Sequence, residues 1–170
     1  EVETTVKILP NPKVEASPSD YADQQAFLKE LELMITDIHE SVNQMRSAKK
    51  QLSGYAKLLE NNDKADTLVA KGEAMIKRID SWEAHLIQPK QKTFQDVINY
   101  NNQLNAELTY LMDFTDTADP VITEGARERL TELKKDWSVY EKERDDIISN
   151  EMSSFNALFK SLEIPALIMD

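Results

Sequence analysis

The 170-residue chain contains no cysteine, which removes disulfide scaffolds, zinc ribbons, iron–sulfur sites and thiol nucleophiles together. Only three glycines are present. An all-β fold, with its many tight turns, usually needs more, so helix is the economical expectation. Basic residues are in short supply too: 20 Lys and Arg against 31 Asp and Glu give a formal net charge of -11. Phosphate recognition depends on clustered cations that release counterions, and anionic membranes attract the same clusters, so nucleic-acid and membrane-surface partners are disfavoured. No apolar run reaches the roughly 18 residues of a membrane span, so no membrane insertion is expected. The chain begins at Glu1 without a secretory signal pattern, and the expectation is a processed or excised piece of something longer.

What is there suffices for a core, since 41% of residues are hydrophobic and 30% charged. A chain of this length buries roughly 70% of its unfolded surface, so one domain can fold without disulfides or a structural metal. Residues 1–19 stand apart, with Val2, Thr4, Val6 and Ile8 alternating and Pro10, Pro12 and Pro18 following. That pattern predicts an extended segment and a stiff linker, and places the helical domain at 20–170.

From Asp20 the apolar period changes from two to between three and four. Leu28, Leu31, Ile35, Ile38, Val42, Met45, Leu52, Tyr55 and Leu59 mark a first helix of about 40 residues, with Ser19 as its expected cap. Asn61, Asn62 and Asp63 end it. A second helix of about 26 residues carries Ala65, Leu68, Gly72, Met75, Ile79, Trp82 and Leu86 and stops before Pro89. The third is expected from Thr93 through Leu111, with a soft point at Asn99 to Asn102. Thr123 should cap the fourth, about 40 residues long, which runs through Leu130, Trp137, Ile148 and Phe155 to Pro165. Its stripe slips where Arg144 takes a core slot, a stutter that locally unwinds a coiled-coil pattern.

The expected fold class is all-α. Short loops predict an antiparallel up-down-up-down four-helix bundle whose two long outer helices, the first and fourth, extend beyond the two shorter ones. In the two-helix extension, Phe27, Leu28, Leu31 and Met34 would face Met152, Phe155, Leu158, Phe159 and Leu162. Phe27, Leu31, Met34, Phe155, Phe159 and Leu162 are the candidate docking surface, unless Leu9 and the chain end at Ile164, Leu167, Ile168 and Met169 cover it.

Any catalytic or metal pattern would have to lie in these same stripes. Di-iron bundles place a Glu three residues before a His, but Thr36 and Trp82 precede His39 and His85, so no metal or cofactor is expected. Gly54, Gly72 and Gly125 are scattered singly, unlike a phosphate loop, and Gly72 lies on an apolar stripe where a missing side chain lets helices approach. No nucleophile elbow is present. The mixed run Glu141 to Asp146 reads as an exposed helix face, and Trp82, Phe94, Trp137 and Tyr140 read as core aromatics. No catalytic residue is assigned.

Some residues also point to a family. Gln88, Pro89 and Lys90, the run Gln95 to Tyr100, and Leu104 with Asn105 belong to this set, as do Ala118, Asp119 and Pro120, Thr123, Gly125 and Ala126, and Phe155 with Asn156. Together they resemble the helical C-terminal region of large secreted proteins of Bacteroidota-type bacteria. Those proteins carry an N-terminal β-propeller of sortilin-like or sialidase-like BNR repeats and are often labelled glycosyl hydrolases. Ile8, Leu9, Pro10, Asn11 and Pro12 look like the junction leaving the propeller, and Asn101 departs from the family, where Pro is common. The resemblance spans about residues 5 to 165 and rests on packing and turn residues. It implies a non-catalytic accessory or interaction module in an exported protein, secreted, periplasmic or at the cell surface, with the propeller or another protein as partner. Composition alone leaves the cytoplasm open. The competing readings are a coiled-coil signalling or spectrin-like cytoskeletal segment and an enzyme with a core carboxylate site.

Overall fold

The computed structural model describes residues 2–164, without the side chain of Phe94. The protein is all-helical among the described residues, with four long helices packed on one another as a bundle.

Helix α1 spans Pro18–Leu58. Its cap is Ser17, two residues before the expected Ser19, because Pro18 suits the first helical position, where an N–H has no helical partner and φ is already set. The Asp20 N–H donates to Ser17 Oγ at 3.3 Å, and the Asp20 carboxylate accepts the Ser17 N–H at 2.7 Å, a reciprocal capping box. The Ser17 hydroxyl, which also donates to the Asp20 carboxylate at 2.7 Å, and then the Ser17 N–H hold the Asp20 carboxyl below its ordinary value. Helix α2, Asp66–Leu86, follows a 3-10 turn over Asp63–Ala65 that Asn62 caps. Ile87 leaves helical space two residues before Pro89.

The expected third helix is broken. Thr93 and Asp96 form a capping box, yet it opens only a 3-10 turn, Phe94–Ile98. Gln88 and Gln91 then donate side-chain amides to the carbonyls of Asn101 (3.1 Å) and Tyr100 (3.0 Å), taking acceptors that a continuing helix would use. Regular helix resumes as α3, Leu104–Thr115. Thr123 caps α4, Glu124–Asp146, which passes through a π-helical turn, Ile147–Met152, into α5, Ser153–Ser161. The π turn begins three residues after Arg144. Its extra residue rotates the stripe so that both Ile147 and Phe155 reach the core.

Directions differ from an up-down-up-down bundle. Arg46 pairs with Glu83 and Lys49 with Asp80, so α2 runs antiparallel to α1. Gln24 donates to the carbonyls of Thr115 and Thr117, both at 2.9 Å, so α3 is antiparallel to α1 as well. Helices α2 and α3 therefore point the same way, end to end, along one side of α1. Arg127 pairs with Asp23, Lys134 with Glu30, and Arg144 bonds Ser41, so α4 runs parallel to α1. The architecture is three rods, up, down and up, with the middle rod broken. The expected reversal is absent because residues 87–103 carry the chain onward without turning it back.

This layout accounts for the length mismatch. Glu83 opposite Arg46 sets Leu86 near position 43 of α1, and Thr115 opposite Gln24 sets Leu104 near position 35. The break thus spans about 8 residues of α1, about 12 Å. No two-helix extension is left over, because α2 covers one half of α1 and α3 the other. A single core runs from Phe27 to Leu59, with Leu31, Ile38, Met45, Leu68, Met75, Trp82, Leu108 and Ile147 fully buried. Each such side chain contributes about 1.5–3 kcal/mol of burial.

Candidate functional site

The six residues expected to form a docking surface are not brought together. Phe27, Leu31 and Met34 lie near the start of α1 and are buried in the protein's own core. Phe155 is buried at the opposite end, with Phe159 and Leu162 half-buried beside it. The Phe155 ring sits 6.4 Å from that of Tyr55, and the Phe159 ring sits 5.0 Å from it, which ties α5 to the end of α1 rather than its beginning. Parallel packing of the outer rods is the physical reason. Leu9 covers nothing, being 68% exposed, while Ile164 packs at the core's edge; Leu167, Ile168 and Met169 lie outside the described residues.

A recess of about 150 Å³ lies where α1, α2 and the π turn meet, lined by Leu52, Tyr55, Met75, Met152 and Phe155. Its walls are apolar apart from Gln51 and Asn156. A broader groove of about 380 Å³ runs between α3 and α4, where Tyr110 and Phe114 stand 67% and 58% exposed beside Gly125 and Ala126. Both offer contact surface. The titratable groups of the groove are Tyr110 and the Glu107–Arg129 ion pair at 3.2 Å, and that of the recess is Tyr55.

Polar chemistry concentrates at mid-rod. Arg144 donates from Nη1 to Ser41 Oγ at 2.7 Å, meets Glu141 at 3.4 Å and Asp145 at 2.9 Å, and stands 5.8 Å from the Trp137 ring centre. Trp137 Nε1 donates to Asp37 at 3.1 Å, and Trp82 Nε1 to the Tyr140 carbonyl at 2.8 Å. Beside this layer, Arg78 reaches Asp146 at 2.8 Å, Glu143 at 3.8 Å and Glu151, bracing α2 against the π turn from both sides. The Asn150 amide and then Arg78 hold the Asp146 carboxyl below its ordinary value. Burial, with Asp136 and Glu143 nearby, pushes the Tyr140 hydroxyl up.

The arrangement can hold helices in register. The buried polar residues among the described ones are Gln24, Ser41 and Thr115, each hydrogen-bonded, and none is a carboxylate. His39 is exposed, and His85 stacks on Tyr140 at 5.1 Å. No group of three or more His, Asp or Glu among the described residues is placed to hold a metal ion, and none of their helices is long and apolar enough to cross a membrane. Two elements escaped the sequence reading. Ser41 occupies an inward position one residue before Val42, and its partner is the Arg144 that interrupts the other stripe; two polar residues in core slots were the signal. Arg78 had none, since nothing in spacing sets it apart from the other cations.

The chain matches no family model, no curated protein and no solved structure. The resemblance to helical regions of propeller proteins therefore rests on the residues quoted for it.

Proposed function

We propose that this domain is a non-catalytic accessory module that works as a stiff spacer, holding a neighbouring domain at a set distance in an exported β-propeller protein of the kind it resembles. The observation that carries this reading is the parallel course of α1 and the rod over 124–161. The chain enters the bundle at one end and leaves it at the other, about 40 helical residues and so about 60 Å away. An up-down-up-down bundle would return both connections to one end and space nothing. The capping box at Ser17 fixes where the helix starts, and so the end of the rod from which that distance is set.

The same geometry favours the second reading, a segment of a spectrin-like or signalling scaffold. Three rods with opposite-end connections can be strung in series through continuous helices. The two readings differ in what adjoins the domain: a β-rich domain in one, further helical rods in the other.

The test is an exchange within the polypeptide that carries the domain. Replacing 18–161 with an unrelated helical rod of about 60 Å should preserve the neighbouring domain's activity. A Gly and Ser linker with the same number of residues should impair it, because its ends wander. Loss of activity with the rod as well would overturn the spacer reading and return attention to specific surface residues.

A further inference from the structure

The first nine residues combine three properties that seldom coexist in a segment with no partner. Val2, Thr4, Val6 and Ile8 would share one face of an extended strand, all of them β-branched, and Glu3, Thr5, Lys7 and Leu9 the other. The apolar ones are open to water, with Val2 99% and Ile8 92% exposed. Among the described residues, no hydrogen bond engages any backbone group from 2 to 10, the first being Val14 N–H to the Asn11 carbonyl at 3.1 Å. A segment with this composition, full exposure and a bare backbone is a strand without a sheet.

The boundary is sharp. Pro10 and Pro12 lack the N–H that would extend a ladder, and the turn at Asn11, where the Lys13 N–H reaches Asn11 Oδ1 at 3.0 Å, leads straight to the Ser17 cap. Pairing is thus confined to residues 2–9, about 26 Å at 3.3 Å per residue. No strand exists among the described residues of the bundle, so the complementary edge lies outside it. Two copies pairing through this segment would make only a two-stranded ribbon, which is marginal in water. A sheet of several strands with an open edge supplies both the missing hydrogen bonds and a pocketed face for Val2, Val6 and Ile8.

We propose that residues 2–9 pair as an added strand on the open edge of a β-sheet belonging to a separate domain, and so fasten that domain to the end of the rod. The proposal deepens the spacer reading by naming what is gripped, and it fails separately, since a bundle can space a domain held by a flexible tether.

Residue-resolved hydrogen exchange tests it, comparing the isolated 170-residue chain with the full natural polypeptide that contains it. In the isolated chain, amides 2–9 should exchange as in an unfolded peptide. In the full polypeptide, alternate amides, either Glu3, Thr5, Lys7 and Leu9 or Thr4, Val6 and Ile8, should slow about 100-fold, because successive residues of an edge strand point their backbone groups to opposite sides. Val6→Pro should abolish that protection while amides within α1 keep theirs. Equal exchange in both proteins overturns the proposal. Protection that rises with concentration in the isolated chain also overturns it, in favour of pairing between copies. Uniform slowing without alternation points to helix or burial and overturns it too. The rod exchange described above reads spacing whatever this result is.

Discussion

Arg144 occupies a slot that the coiled-coil pattern reserves for an apolar residue, and its removal should expose how much the mid-rod polar layer holds. Its side chain is 16% exposed, and its partner Ser41 is 4% exposed. A hydrogen bond from a charged donor contributes about 1.5–3 kcal/mol. The guanidinium over Trp137 adds about 0.5–1 kcal/mol. The pairs with Glu141 and Asp145 involve carboxylates 43% and 62% exposed and contribute at most about 1 kcal/mol each. Arg144→Ala should therefore lose about 3 kcal/mol, read by urea unfolding followed through Trp fluorescence, with Tm falling by about 6–12 °C at about 2–4 °C per kcal/mol. In a double-mutant cycle, Ser41→Ala and Arg144→Ala should couple by at least about 1.5 kcal/mol. Arg144→Leu combined with Ser41→Ala restores two apolar slots and should come within about 1 kcal/mol of the natural protein or exceed it, as apolar replacements of buried ion pairs do. A loss below about 0.5 kcal/mol for Arg144→Ala, or additivity with Ser41, would refute the assignment of Arg144 as the link between the outer rods.

Four further outcomes are expected. Spin labels at Ser19→Cys and Ser161→Cys, easily introduced because the chain has no native cysteine, should report a separation of about 60 Å by pulsed electron resonance; a distance near 20 Å would refute parallel outer rods. Gly54→Ala meets no atom within 4 Å and should stabilise the protein by about 0.5–1 kcal/mol in thermal unfolding; Gly72→Leu should destabilise it, because even a Cβ there already touches Phe155 at 3.4 Å. Deleting the exposed Ser149 removes the extra residue of the π turn and should leave a folded, helical protein by circular dichroism, whereas deleting Lys135 turns Trp137 and everything after it about 100° away from the core and should unfold it. The Asp20, Asp96 and Asp146 carboxyls lie below their usual 3.8, so the stability they contribute is present above that pH and is lost as pH falls through their native values; Asp146→Asn should flatten the acid limb of the denaturation curve, and an unchanged limb would contradict it.

Helix positions were legible because burial imposes a period that survives in the residues. Leu31, Ile38 and Met45 on α1, and Leu68, Met75 and Trp82 on α2, are buried as their spacing required. The slip at Arg144 was legible as well, and the π turn begins three residues later. Direction was not. An apolar stripe tells which face is buried and nothing about which way its neighbour runs, so direction had to come from the loops. There Val97 misled: it continued a helical spacing, yet it is 51% exposed on a 3-10 turn. Reading residues 94–111 as one helix implied a reversal at Pro89. That reversal placed Phe155 beside Phe27 and created a docking surface between residues that sit at opposite ends of the protein.

The parallel course of the outer rods has a mechanical consequence. Tension applied where the chain enters at Pro18 and leaves at Ser161 acts along the helix axes, so it must slide α1 against α5 and α2 rather than peel one helix from the others turn by turn. Interlocked side chains such as Tyr55 between Phe155 and Phe159, and the charge pairs of Arg46, Lys49 and Arg78 across the rods, would be strained together rather than in sequence. Closing the π turn into regular helix would release a residue's length of slack only by turning Phe155 and the rest of α5 about 100° out of the core, so the rod has no slack to give before its core contacts break.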